Sequence, residues 1–158
     1  IVFDLEIPIL GFCYGQQLLA IEFGGSVKHM EHSERLATEL TVIDTCLLIE
    51  GIWQKGDVID VWMGHEDHIR DMPKGFKTIA STQKSPHAFI ADDTRKYYGL
   101  QFHPESPKLS WPVIIERFVL HIVGAQQDPT IVVEPLKVNE QAALRKWLSG
   151  CCGWSTFD

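Results

Sequence analysis

Ile7-Pro8-Ile9-Leu10-Gly11-Phe12-Cys13-Tyr14-Gly15-Gln16-Gln17-Leu18-Leu19-Ala20-Ile21-Glu22-Phe23-Gly24-Gly25 is the stretch on which the fold turns. A short apolar run meets a turn bounded by Gly11 and Gly15, and good helix formers then continue to the Gly24-Gly25 stop. The reading is strand, sharp turn, helix. An unbroken apolar run of this kind suits a strand buried on both faces, as in a parallel sheet covered by helices. The expected fold class is therefore α/β.

Outward from this unit, segments 36–43, 57–63, 76–82, 87–91 and 97–103 read as strands, the last stopped by Pro104. Residues 113–123 carry apolar side chains at helical spacing and end at Gly124. Many short strands with few helices between them predict a mixed sheet rather than a strict alternation of strand and helix. Further on, Pro129 and Pro135 frame a short extended piece, Asn139 is placed to cap a helix through Trp147 and Leu148, and residues 151–158 read as a tail. The expected organisation is one domain over residues 1–124 and a divergent extension over 125–158. A strand-turn-helix of this type belongs near the centre of a sheet, so further strands are expected before Ile1 and the domain reads as incomplete at its N-terminus.

Composition narrows the function. The 158 residues carry 14 Lys and Arg against 21 Asp and Glu, a net charge of −7, which argues against a nucleic-acid surface. With 45% hydrophobic and 22% charged residues the chain is globular rather than disordered. No apolar run approaches the roughly 18 residues of a membrane span. Cys13, Cys46, Cys151 and Cys152 do not make a disulfide framework and read as reduced thiols of a cytoplasmic enzyme.

Gly11-x-Cys13-x-Gly15 between strand and helix has the layout of a nucleophile elbow with Cys in place of Ser. Such a turn strains the nucleophile and favours small neighbours. It also sets the thiol at a helix N-terminus, where unpaired N–H groups and the helix dipole favour a thiolate and can hold a developing oxyanion. The competing reading of Cys13 is a buried structural thiol. A cysteine nucleophile needs a base, and His103-Pro104-Glu105 follows an apolar strand. Pro104 biases His103 toward an extended backbone, and residues two apart then project to the same side. Glu105 is thereby placed to fix the His103 tautomer and stabilise its imidazolium. The competing reading is a surface histidine beside a solvated acid.

Gly11-Phe12-Cys13-Tyr14-Gly15-Gln16-Gln17 together with Tyr98-Gly99-Leu100-Gln101-Phe102-His103-Pro104-Glu105 resembles the class I, triad-type glutamine amidotransferases. Val61-Trp62-Met63-Gly64-His65-Glu66-Asp67, Pro73-Lys74-Gly75-Phe76 and 79–86 are similar to the glutaminase domain of GMP synthases. The resemblance runs from about Ile1 to Gly124. It implies a flavodoxin-like fold, with a mixed sheet flanked by helices. It also implies hydrolysis of glutamine to glutamate and ammonia through a thioester on Cys13, with His103 as base and acid and Glu105 as its orienter. The Tyr14 N–H would form part of the oxyanion hole, and Gln17, Gly64 and His65 would contact the substrate. The family's Met-Ser-His-Gly-Asp loop here reads Met63-Gly64-His65-Glu66-Asp67, so Gly64 and Glu66 depart from the pattern. The family's glycine-rich loop, source of a second oxyanion N–H, would lie upstream of Ile1. The ATP pyrophosphatase domain with its Ser-Gly-Gly-Val-Asp-Ser loop is not expected within residues 125–158. ATP and Mg would belong to that synthetase domain as partner, and no cofactor is expected on this chain.

Three rival readings remain. A zinc site drawn from His29, His32, His65, His68 and the Cys151-Cys152 pair has poor spacing for chelation, so no metal is expected. A catalytically inactive, amidotransferase-like binding or scaffold domain would carry the same motifs without turnover. A γ-glutamyl peptide hydrolase could use the same elbow, although the Trp62-Met63 and Ser85-Pro86 stretches weigh against it. Trp53, Trp62, Trp111, Trp147 and Trp154 read as packing residues, and Lys108, Arg95 and Lys96 as solvated surface.

Overall fold

The computed structural model describes residues 2–106 and 111–126. Strand β1 (Ile9–Phe12) runs through Cys13 into helix α1 (Tyr14–Glu22). Strands β2 (Ser26–Val42), β3 (Val58–Asp71), β4 (Lys77–Ser81), β5 (Phe89–Asp92) and β6 (Tyr97–Leu100) follow. Helix α2 (Pro112–Arg117) then passes into a π-helical turn over Phe118–Ile122. The extended piece around Pro129 and Pro135, the helix after Asn139, Cys151, Cys152, Trp147, Trp154 and Lys108 lie outside the described residues. No described helix is long and apolar enough to cross a membrane.

The six strands form one sheet in the order β1-β6-β5-β4-β2-β3. β1 and β6 run parallel and every other pairing is antiparallel, so the sheet is mixed as the strand pattern predicts. β5 and β6 are buried along their whole length. Their side chains alternate between two cores, as a pleated strand requires. Ile90 and Tyr97 join Leu19 and Ala20 of α1, together with Ile69 and Phe76. Phe89, Ala91, Tyr98 and Leu100 join Leu40, Val61, Ile79 and Ile114 of α2 on the other face. The helices therefore flank the sheet.

Close approach of α1 to β1 and β6 is made possible by two glycines. A Cβ on Gly11 would stand 2.7 Å from the backbone carbonyl of Gly15, and one on Gly99 would stand 2.6 Å from Cγ of Gln16. The parallel register sets Gly11 opposite Gly99 and Phe12 opposite Leu100. Both strands therefore end at one level. There the chain turns into Cys13 after β1 and into Gln101, Phe102 and His103 after β6.

Strands β2 and β3 correct the sequence reading. They were expected over 36–43 and 57–63, yet they extend over 17 and 14 residues as a long antiparallel ribbon. The added portions pair residues such as His29 with Asp67 and Glu34 with His65, with a register shift between them. Although β3 is last in the sheet order, it curls back over the ends of β1 and β6. His103 donates its backbone N–H to the Trp62 carbonyl at 3.0 Å, and Gln17 Nε2 donates to the Asp67 carbonyl at 2.9 Å.

Two smaller readings also change. The segment 113–123 is not one α-helix, because the Val123 N–H bonds back to the Phe118 carbonyl at 2.9 Å, five residues earlier; Gly124 then ends the turn at φ 78°. Arg95 is not bare surface. Its guanidinium lies 4.1 Å from the Phe23 ring centre, pairs with Asp92 at 2.5 Å and donates to the Lys74 carbonyl at 2.9 Å.

Candidate active site

Cys13 is the residue between β1 and α1, and its backbone takes φ 49° and ψ −105°. A non-glycine residue at positive φ is strained, and such strain persists only where surrounding bonds impose it. Here the Cys13 N–H is held by the Leu100 carbonyl at 2.7 Å, while the Cys13 carbonyl accepts the N–H of Gln16 at 3.1 Å. The turn therefore fixes the thiol at the first turn of α1. The N–H groups of Tyr14 and Gly15 open the helix and belong to the set that no intrahelical carbonyl can reach. Gly15 itself needs no glycine for space, since nothing lies within 4 Å of an added Cβ; the steric need sits at Gly11.

His103 and Glu105 meet as their spacing predicts. His103 Nδ1 lies 2.8 Å from Glu105 Oε1, and the His103 side chain is 6% exposed. Burial alone would depress the imidazole pKa. Hydrogen bonding to the Cys13 side chain and to Glu105, with the negative charge of both, overrides that effect and raises it to about 9. Cys13, His103 and Glu105 are thus brought into one chain of contacts. Trp111 braces the segment that carries His103 and Glu105, its backbone N–H on the Pro104 carbonyl at 2.8 Å and its indole edge-on to Trp53 at 5.2 Å between ring centres. By contrast, Cys46 is buried and its thiol is pushed up to about 12, which makes it inert.

Of the expected substrate contacts, Gln17 lies on α1, and Gly64 and His65 lie on β3. Gln17 is buried; besides the Asp67 carbonyl, its amide Nε2 reaches Gln101 Oε1 at 3.4 Å. Both nitrogens of the buried His65 ring are occupied, Nδ1 by the Asp67 carbonyl at 2.9 Å and Nε2 by Glu34 at 3.1 Å. Gly64 lies opposite Arg35 on β2. Glu66, which departs from the family loop, pairs with Arg35 at 2.6 Å.

Two residues with a place here carried no assignment from sequence. Glu34 is buried and accepts from Thr82 at 2.7 Å and Ser85 at 2.8 Å as well as from His65. Burial would raise its carboxyl, but those donors outweigh it and hold the group below the usual carboxylate range. Gln101 places Nε2 at 3.7 Å from the Cys13 sulfur. Its signal was the two-residue alternation Gln101, His103, Glu105. Glu34 had none, since it sits in a polar run.

The family model for class I glutamine amidotransferases matches residues 2–122. The glutamine-hydrolysing GMP synthase of Rhodopseudomonas palustris is 40% identical over 131 residues, which cover 82% of this chain and 24% of that protein. The chain thus spans about a quarter of the length of the curated relatives it matches. A solved protein of Thermoplasma acidophilum, described as part of a GMP synthase, superposes with a TM-score of 0.68 at 32% identity, over 74% of this chain and 58% of that one. A glutamine amidotransferase of Thermotoga maritima shares the fold, with a TM-score of 0.59 at 23% identity over 94% and 60% of the two chains. A cysteine elbow, its histidine and carboxylate, and a family match across nearly all the described residues lead to one assignment: the chain belongs to the class I glutamine amidotransferase family.

Proposed function

We propose that this domain hydrolyses glutamine to glutamate and ammonia, as the glutaminase part of a GMP synthase. The observation that carries the reading is Cys13 strained at the opening of α1, with its sulfur acting on the His103 imidazole and Glu105 Oε1 2.8 Å from His103 Nδ1. The Cys13 sulfur attacks the side-chain amide carbon, and the carbonyl oxygen takes the negative charge. The N–H of Tyr14 stabilises that charge. His103 gives its proton to the departing nitrogen, which leaves as ammonia, and the C–N bond is replaced by a thioester. Water then attacks the thioester carbon while His103 takes its proton. Glutamate leaves, and the proton returns the site to its starting state. Glu105 keeps the imidazole turned toward the sulfur throughout.

Gln17, Gly64 and His65 form the substrate side of the site in this reading. Because both His65 ring nitrogens are spent on Glu34 and Asp67, its contribution is to shape the 63–67 stretch of β3. Ammonia passes to a synthetase domain that binds ATP and Mg and aminates XMP to GMP in the cytoplasm. Glutaminase assay and labelling with a glutamine-like chloroketone test the proposal. Cys13→Ala should lower turnover by at least about 10³-fold, and the mass adduct should map to Cys13. Equal turnover in Cys13→Ala, or an adduct on another thiol, sinks it, and no turnover by the parent chain favours an inactive binding domain.

A further inference from the structure

We infer that Gln101 holds the reacting sulfur, its side-chain amide donating an N–H to Cys13 and orienting it for attack. The inference rests on the thioester reading of Cys13 above and adds a residue to it. Amide oxygen and nitrogen are easily interchanged in a structure, so the direction of the bond needs an independent argument. Here the network supplies one. The Asp67 carbonyl can only accept, so the Gln17 atom 2.9 Å from it must be Nε2. That same Nε2 faces Gln101 at 3.4 Å, which makes the facing Gln101 atom the acceptor Oε1. The remaining Gln101 atom, 3.7 Å from the Cys13 sulfur, is therefore the donor Nε2.

The side chain is well placed to keep this direction. Gln101 is 1% exposed, and its backbone N–H is fixed on the Ala88 carbonyl at 2.8 Å. A buried amide does not turn away from its partners without leaving them unpaired. The sulfur thus receives Gln101 in addition to His103. An anionic sulfur is a far better acceptor than a neutral thiol or a thioester sulfur. The contact consequently favours the thiolate before attack and slackens once the acyl group is on. It follows that the Cys13 sulfur is more reactive at neutral pH with Gln101 in place than without it.

The test is the pH dependence of iodoacetamide alkylation, read by mass spectrometry on the Cys13 peptide of the full chain. Loss of one hydrogen bond to a charged group should raise the midpoint by about one pH unit in Gln101→Leu and slow alkylation at neutral pH by about ten-fold. Gln101→Glu keeps the size and the acceptor for Gln17 but sets a carboxylate against the sulfur, so its midpoint should rise further. It also serves as the informative variant should the leucine form fail to fold. Midpoints equal to the parent's in a folded variant overturn the inference and leave Gln101 as packing. The readout involves no glutamine. A chain whose alkylation shifts as expected but which leaves glutamine intact refutes the glutaminase reading and not the Gln101 contact.

Discussion

His103 is where the electrostatics of the site can be read from outside. Its pKa rises from 6.5 to about 9 on folding, against the effect of burial, because Cys13 and Glu105 hold the imidazolium. A group that binds its proton more tightly when folded stabilises the fold fully below its unfolded pKa and loses that contribution as pH rises through the folded value. Thermal melts should therefore show stability falling between pH 6.5 and about 9, and His103→Gln should flatten that fall. A slope unchanged in His103→Gln would place the titration elsewhere. Under the proposed glutamine hydrolysis, turnover should share the alkaline limit, since ammonia would need the imidazolium proton to depart. At this scale the turn at Cys13 and the His103–Glu105 contact were legible because their cues are local: the Gly11 and Gly15 spacing, and Pro104 between His103 and Glu105. Gln101 was not, because its partner Gln17 is 84 positions away and no spacing encodes their meeting.

At the scale of elements, the junction of β1 and α1 depends on a missing Cβ. Gly11→Ala would set a methyl 2.7 Å from the Gly15 carbonyl, so the helix must shift away from the strand. The expected cost is about 1–3 kcal/mol, with a melting point several degrees lower. Gly15→Ala meets open space and should leave stability unchanged or slightly raised, alanine being the better helix former. Comparable losses in both variants would contradict this account of the turn. The ribbon shows what sequence hides at the same scale. Lys28-His29-Met30-Glu31-His32-Ser33-Glu34-Arg35 carried no strand assignment because most of it is exposed and it lacks the period-two apolar signal. Its strand character comes from backbone pairing with β3, which only the assembled fold supplies.

For the molecule as a whole, the decisive feature is the return of β3 over the ends of β1 and β6. The Glu34 and His65 pair ties β2 to β3 within the ribbon that makes this return, with side chains 4% and 2% exposed, and Ser85 and Thr82 complete the carboxylate's shell. Removing one partner of a buried pair strands the other, so Glu34→Gln should cost about 3 kcal/mol. The urea midpoint should fall accordingly, and an unaltered midpoint would show that the ribbon is held elsewhere. Since folding lowers the Glu34 pKa, its stabilisation is present above the ordinary carboxylate pKa and is lost as pH drops through the folded value. Mixed pairing and flanking helices were foreseeable from the pattern of short strands. The curl was not, because its closing bonds run from backbone atoms, Trp62 to His103, and backbone carries no sequence identity.

Cys13 is kept at a dihedral angle it would abandon if left alone, and the whole architecture supplies the restraint. When that restraint loosens, this position relaxes first, because relaxation there releases energy while it costs energy elsewhere. In rising urea, alkylation of the thiol should lose its fast phase while tryptophan fluorescence is still that of the intact protein. Loss of thiol reactivity and denaturation would then be two events, with the turn at Cys13 the more fragile of them.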